Sequence, residues 1–197
     1  MNKLYRVFGI FLLSWLILIS CSQGKRIEKQ LIKMSEIPIR IETEGMVACN
    51  DADSVNIIEE GNSRLKMIVW ADSTECSKCY VRHLDMWNSL IKLEHENPNG
   101  IRYYFILEAN PEKLETTTSM LQSTTQLKHT IYVDTAQYFR KKNPQIPSDV
   151  LFHTFLLDND NKVVLVGDPT KNKSIQNLFK QILNENLGIS INDEETL

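Results

Sequence analysis

The stretch from Trp70 to Trp87, WADSTECSKCYVRHLDMW, sets two thiols, Cys76 and Cys79, two residues apart where an apolar run gives way to a helical pattern. A cysteine at such a junction lies beside unsatisfied backbone N–H groups and the positive end of a helix dipole, which favour the thiolate, the reactive form of sulfur. Cys76 holds that place, and Cys79 follows one turn further in. Lys78 adds a favourable charge, whereas Glu75 and Asp72 oppose it. Three readings are open for the pair: a redox dithiol, a metal clamp, or a structural remnant on a binding module. His83 shares the helical face of Cys79 and reads as a solvated or capping residue. Cys49 reads as a small buried hydrophobe, and Trp70 and Trp87 as core or site-rim aromatics.

The elements that must carry these residues alternate along the chain. RLKMIVW (Arg64 to Trp70) is a short apolar run suited to a central strand, and Val81, Leu84, Trp87 and Ile91 then recur at helical spacing until NPNG (Asn97 to Gly100). IRYYFIL (Ile101 to Leu107) predicts a second central strand. Asn110 as a cap and Pro111 at the first helical position predict a helix to Gln122. HTIYVD (His129 to Asp134) predicts a third strand, and Thr135 to Lys142 a short helix. His153 to Pro169 shows two β-rich runs around the polar cluster Asp158 to Asn161, the pattern of an antiparallel hairpin. A closing helix over Asn172 to Leu187 places Ile175, Leu178, Phe179 and Ile182 toward the core. IPIRIET (Ile37 to Thr43) alternates around Pro38 and predicts an edge strand, with Cys49 in or near the turn that follows. This order predicts an α/β sandwich with a mixed central β-sheet flanked by helices.

The 197 residues suffice for one core. A net charge of -3 with both signs scattered along the chain predicts no basic stripe for nucleic acid or an anionic membrane surface, and no nucleic-acid partner. Lys3 and Arg6 precede an apolar run from Val7 to Ile19 that is short for a membrane span and suits an export signal. Its end, LISC (Leu18 to Cys21), resembles the lipobox of bacterial lipoproteins, which implies that Cys21 becomes a lipid-bearing N-terminus. The expected organisation is a signal peptide over 1–20, a lipid-anchored tether over 21–36, one domain over 37–187 and a flexible acidic tail over 188–197. In an exported chain a dithiol has access to oxidant.

IVWADSTECSKC, HTIYVD and TFLLDNDNKVVLVGDP together resemble the thioredoxin fold, most closely the TlpA/ResA-like and peroxiredoxin-like branch of exported bacterial proteins. The likeness runs from about Ile37 to Leu187, and the chain also looks like small thioredoxin-like lipoproteins of Bacteroidetes-type bacteria. The resemblance implies a thiol–disulfide oxidoreductase in which Cys76 attacks and Cys79 resolves. It implies no cofactor, thiols and disulfides of exported proteins as partners, a membrane reached through the lipid on Cys21, and a place in the cell envelope facing the periplasm. The chain departs from the family in carrying Phe152 and His153 where a cis-proline precedes the strand facing the dithiol. Copper-handling Sco proteins share the fold and use two cysteines and a histidine. Likeness to them implies a second reading, a copper carrier holding metal with Cys76, Cys79 and His153. A non-catalytic interaction lipoprotein on the same fold is the third. Ser73 to Cys76 echoes the peroxidatic Thr-x-x-Cys only loosely.

Overall fold

The computed structural model describes residues 24–49, 63–73 and 77–190, the first three of the last span by their backbone alone. Residues 1–23 with Cys21, Cys76 itself, and the tail from residue 191 lie outside the described residues.

Six strands form one sheet: β1 (Val47–Cys49), β2 (Leu65–Ala71), β3 (Ile101–Glu108), β4 (Ile131–Asp134), β5 (Thr154–Leu157) and β6 (Val163–Val166), in the order β1-β4-β3-β2-β5-β6. β2, β3 and β4 run parallel, and β1, β5 and β6 pair antiparallel to their neighbours. The helices are α1 (24–36), α2 (Ser77–Leu84), α3 (Asn88–Glu96), α4 (Leu114–Thr124), α5 (Tyr138–Lys142) and α6 (Lys173–Leu187). The expected mixed sheet flanked by helices is therefore what the chain forms. The β-α-β units are followed by a hairpin and a last helix, in the order the sequence predicts.

Every residue of β2 is buried, as a parallel strand covered on both faces requires. Leu65, Met67, Val69 and Ala71 point to one core with Val81, Leu84 and Trp87 of the α2–α3 region and Phe179 and Leu183 of α6. Ile68 and Trp70 point to the other, with Met34 of α1, Ile39, Phe139 of α5, Phe152 and Phe155. The helical run after β2 is broken once, by a tight turn over Asp85–Trp87. There Asp85 Oδ1 accepts from Thr125 Oγ1 at 2.6 Å and from the Gln126 N–H at 2.7 Å, which ties the break to the end of α4.

Local capping follows the side chains that the sequence supplies. Asn110 Oδ1 accepts from the Glu112 N–H, and Asn172 Oδ1 from the N–H groups of Ser174 and Ile175, satisfying donors that a helix start leaves open. Gly167, between β6 and α6, has φ +123°, and a Cβ there would meet Ile175 at 3.0 Å.

Several expectations are corrected. Ile37 to Thr43 is an extended strap that joins no sheet ladder. Pro38 has no N–H to offer, and the segment's neighbours are loops and a side-chain amide rather than a strand. The Arg40 N–H donates to Asn143 Oδ1 at 2.8 Å, Asn143 Nδ2 donates to the Arg40 carbonyl at 2.9 Å, and the Ile39 N–H reaches the Asn161 carbonyl at 2.8 Å. The edge strand is β1, and Cys49 closes it rather than lying in a turn. Leu178 is 47% exposed, whereas Gln176 and Leu183 are buried beside Phe179. At about 100° per residue Leu178 falls to the side of a helix whose inward line runs through Phe179. Residues 24–36, expected as a tether, are helical, with Met34 fully buried against the domain. The helical turn also corrects the reading of scattered charge. Lys25, Lys29 and Lys33 fall one turn apart with Arg26 alongside, so that α1 carries an exposed basic face.

Candidate thiol site at the carboxyl edge of the sheet

Three neighbouring parallel strands end in acids. Asp72 follows β2, and Glu108 and Asp134 close β3 and β4, with Ala71 opposite Leu107 and Glu108 opposite Asp134 in the register. All three are buried, at 2%, 2% and 0% exposure. Buried carboxylates are costly unless paired and hydrogen-bonded. Asp134 is satisfied by backbone, its Oδ1 accepting from the Ala136 N–H at 3.2 Å and its Oδ2 from the Phe139 N–H at 2.9 Å, and it thereby caps α5. Gln137, at the start of that helix with φ 56°, makes no side-chain cap of its own.

Arg140, on α5, answers the other two. Its Nη2 donates to Asp72 Oδ2 at 2.7 Å and to Glu108 Oε2 at 3.2 Å, and its Nε to Glu108 Oε1 at 3.1 Å. A planar guanidinium fork can reach two carboxylates at once, which an ammonium cannot do with the same geometry. Hydrogen bonding to Glu108, and after it to Asp72, raises the Arg140 pKa against the opposing pull of partial burial. The same guanidinium stands 5.1 Å from the centre of the Trp70 ring, a cation–π contact.

This cluster fixes the chain that leads to the thiols. The Ser73 N–H donates to Glu108 Oε2 at 3.2 Å, while Asp72 is held by Arg140. On the far side, Tyr80 donates its hydroxyl to the Val69 carbonyl at 3.0 Å, and Val81 and Leu84 are buried, so α2 is seated directly on β2. The polypeptide is thus anchored at Ser73 before the cysteine pair and at Tyr80 after it. Cys79 lies within α2. Cys76 and the side chain of Cys79 lie outside the described residues.

His153 is the residue directly before β5 and is buried, its ring 4.2 Å from that of Trp70. The Trp70 N–H donates to the His153 carbonyl at 2.9 Å. His153 therefore sits at the end of β2 from which the Cys76 segment departs. Among the described residues no three histidine, cysteine, aspartate or glutamate side chains stand close enough together to hold a metal. His83 is exposed, in keeping with a solvated role, and Trp70 and Trp87 are both core residues. Cys49 is buried at 5% exposure and belongs to the core. Burial pushes its thiol pKa up, the opposite of what a nucleophile needs.

Sequence reasoning named Asp72 only as an unfavourable charge and missed Glu108 and Arg140. A signal was present: VWAD and FILE, two apolar strands of one parallel pair, each close with an acid at the same register. Arg140 gave none, because nothing local to a short helix says which strand ends it will reach.

No protein-family model matches the chain, and no curated protein matches its sequence. Solved structures do share its path in part. A candidate protein disulfide isomerase from Bacteroides thetaiotaomicron is 18% identical over 64% of this chain and 75% of its own, with a TM-score of 0.42. A candidate thiol:disulfide interchange protein DsbE from Chlorobium tepidum is 13% identical over 62% and 82%, with a TM-score of 0.43. A thioredoxin-like protein from Porphyromonas gingivalis is 13% identical over 67% and 81%, with a TM-score of 0.42. The chemistry of those proteins is theirs, and that of this chain is argued from its own residues.

Proposed function

We propose that this chain is a thiol–disulfide oxidoreductase working through Cys76 and Cys79, exported and held at a membrane of the cell envelope by a lipid on Cys21. The observation that carries the reading is the described chain on either side of the Cys-x-x-Cys. β2 ends at Ala71, α2 begins at Ser77, and the chain is pinned on both sides, by Glu108 at Ser73 and by Val69 at Tyr80. A cysteine just ahead of a helix is set for thiolate formation. In the cycle, the Cys76 thiolate attacks one sulfur of a partner's disulfide and expels the other as a thiolate, leaving a mixed disulfide. The Cys79 thiolate then attacks Cys76, which releases the reduced partner and leaves a Cys76–Cys79 disulfide. The partner gains two electrons and two protons, and the dithiol supplies both. No organic cofactor enters. Run backward, the same steps oxidise a partner, and the direction follows the relative stability of dithiol and disulfide.

The test is reduction of insulin disulfides by the wild type and by Cys76→Ser. Turnover by the wild type and none by the variant is the expected result, and an inert wild type overturns the proposal. Because His153 lies at the same end of β2, copper titration of the reduced protein belongs beside it. Stoichiometric binding lost in His153→Ala, in a protein that leaves insulin intact, points to the copper carrier instead.

A further inference from the structure

We propose that the basic face of α1 lies flat on an anionic lipid surface, so that the segment between anchor and domain is a docking element rather than a spacer. Residues 24–36 hold four cations, Lys25, Arg26, Lys29 and Lys33, against two carboxylates, Glu28 and Glu36. In sequence the charges look mixed. On a helix, where each residue advances about 100°, the four cations gather within roughly a third of the circumference; Glu36 falls inside that arc at its C-terminal end, which leaves the face basic, and Glu28 lies outside it. All four are exposed, and none enters an ion pair among the described residues. Met34, on the opposite side, is fully buried in the core beneath β2, with Leu31 and Ile27 about one and two turns ahead of it. Packing of Met34 therefore fixes the helix's rotation and turns the lysines outward. Ile32, 51% exposed, flanks the basic face and offers an apolar contact at its edge.

The occupant is argued from charge and from position in the chain. The basic face begins at Lys25, six residues after Ile19, the end of the apolar run, so whatever membrane that run or a lipid on Cys21 engages is close to it in the chain. The domain otherwise carries excess negative charge, since the whole chain sums to -3 despite this helix. An anionic bilayer would thus repel most of the molecule and attract this one face. That orients the domain as well as holding it. Each lysine or arginine near such a surface is worth roughly five-fold in partitioning, an attraction that fades within a Debye length.

The experiment uses the full chain incorporated into vesicles of phosphatidylcholine alone, or of phosphatidylcholine with a third of phosphatidylglycerol. The readout is the rate at which a glutamate-specific protease cuts after Glu28 and Glu36. Cleavage is expected to be at least tenfold slower on the anionic vesicles, the difference vanishing at about 1 M salt, where the Debye length falls to about 3 Å. Lys29→Gln/Lys33→Gln, two surface changes far from either core, should abolish most of the difference, since two cations account for roughly 25-fold. Equal cleavage on both lipids, a difference that survives salt, or one that the double variant retains overturns the proposal. A chain that floats with neither kind of vesicle overturns both this inference and the membrane attachment proposed above. Insulin reduction by the double variant should match the wild type, so a failure of the thiol reading shows itself separately.

Discussion

The two ends of β2 bury charge in opposite ways. At the carboxyl end Asp72 and Glu108 are sealed from water and answered by direct, forked contacts from Arg140, which arrives from a helix 32 residues beyond Glu108. At the amino end Lys66 is only 6% exposed, and its Nζ donates to a neutral acceptor, Asn161 Oδ1, at 2.7 Å, in the β5–β6 turn. Burial lowers the Lys66 pKa, and the nearby charges of Asp158 and Asp160 restore part of it. One end sets a cation against two acids; the other leaves an amine partly unsupported. The difference suits their positions. The carboxyl end holds the chain that leads to the Cys-x-x-Cys, whereas the amino end holds a hairpin turn.

The strongest way to break the contrast is Arg140→Ala, which leaves two buried carboxylates without a counter-charge. Breaking a buried pair costs about 3–5 kcal/mol, and because the arginine side chain is itself 35% exposed, the low end, about 3 kcal/mol by urea unfolding, is expected. Arg140→Lys should recover only part of it, because an ammonium lacks the fork. A smaller break is Glu108→Gln, expected to cost about 1–2 kcal/mol: the amide oxygen still accepts from Ser73 and from Arg140 Nη2, but the carboxylate charge and the bond from Arg140 Nε are lost.

At the other end the expected effect is smaller and shows in its pH dependence. Lys66 holds its proton less tightly folded than unfolded, so unfolding takes up a proton between the depressed pKa and the ordinary value of 10.5. Wild-type stability should therefore climb as pH rises through that window and be lowest below it. Lys66→Met should flatten the climb while changing stability near neutrality by no more than about 1 kcal/mol, as burying a methionine offsets the orphaned Asn161 carbonyl. Chemical unfolding at a series of pH values checks both. Smallest is Asp160→Asn, which removes one of the charges that support the lysine. Stability near neutrality should fall by about 0.5 kcal/mol or less, the size of an exposed charge interaction, with the alkaline climb starting at lower pH.

Much of the fold was legible because its signals are local. Leu65 to Ala71 is apolar but for Lys66 because both faces are covered, and Val81, Leu84, Trp87 and Ile91 keep helical spacing because one face is. Asn110 and Asn172 mark helix starts with side chains that serve the next few N–H groups. The change from strand to helix between Ala71 and Ser77 is legible for the same reason, as two periodicities meet there. Ile37 to Thr43 misled because alternation reports which side chains are buried and not what the backbone bonds to. Ile39 is buried as a strand residue would be, yet its neighbours are an asparagine amide and a turn carbonyl.

What the chain's order of residues determined alone is the set of elements, their caps and the position of the thiol pair, since each depends on contacts within a few residues. What only the tertiary structure decided is which distant groups meet. Asp72, Glu108 and Arg140 converge because three elements end at one edge of the sheet, and the cations of α1 face outward because Met34 is drawn into a core built, Ile39 apart, from residues more than thirty positions away. Periodicity records how much of a side chain is buried. The identity of its neighbour across space is settled by the closing of the sheet and the packing of helices upon it, which no local pattern encodes.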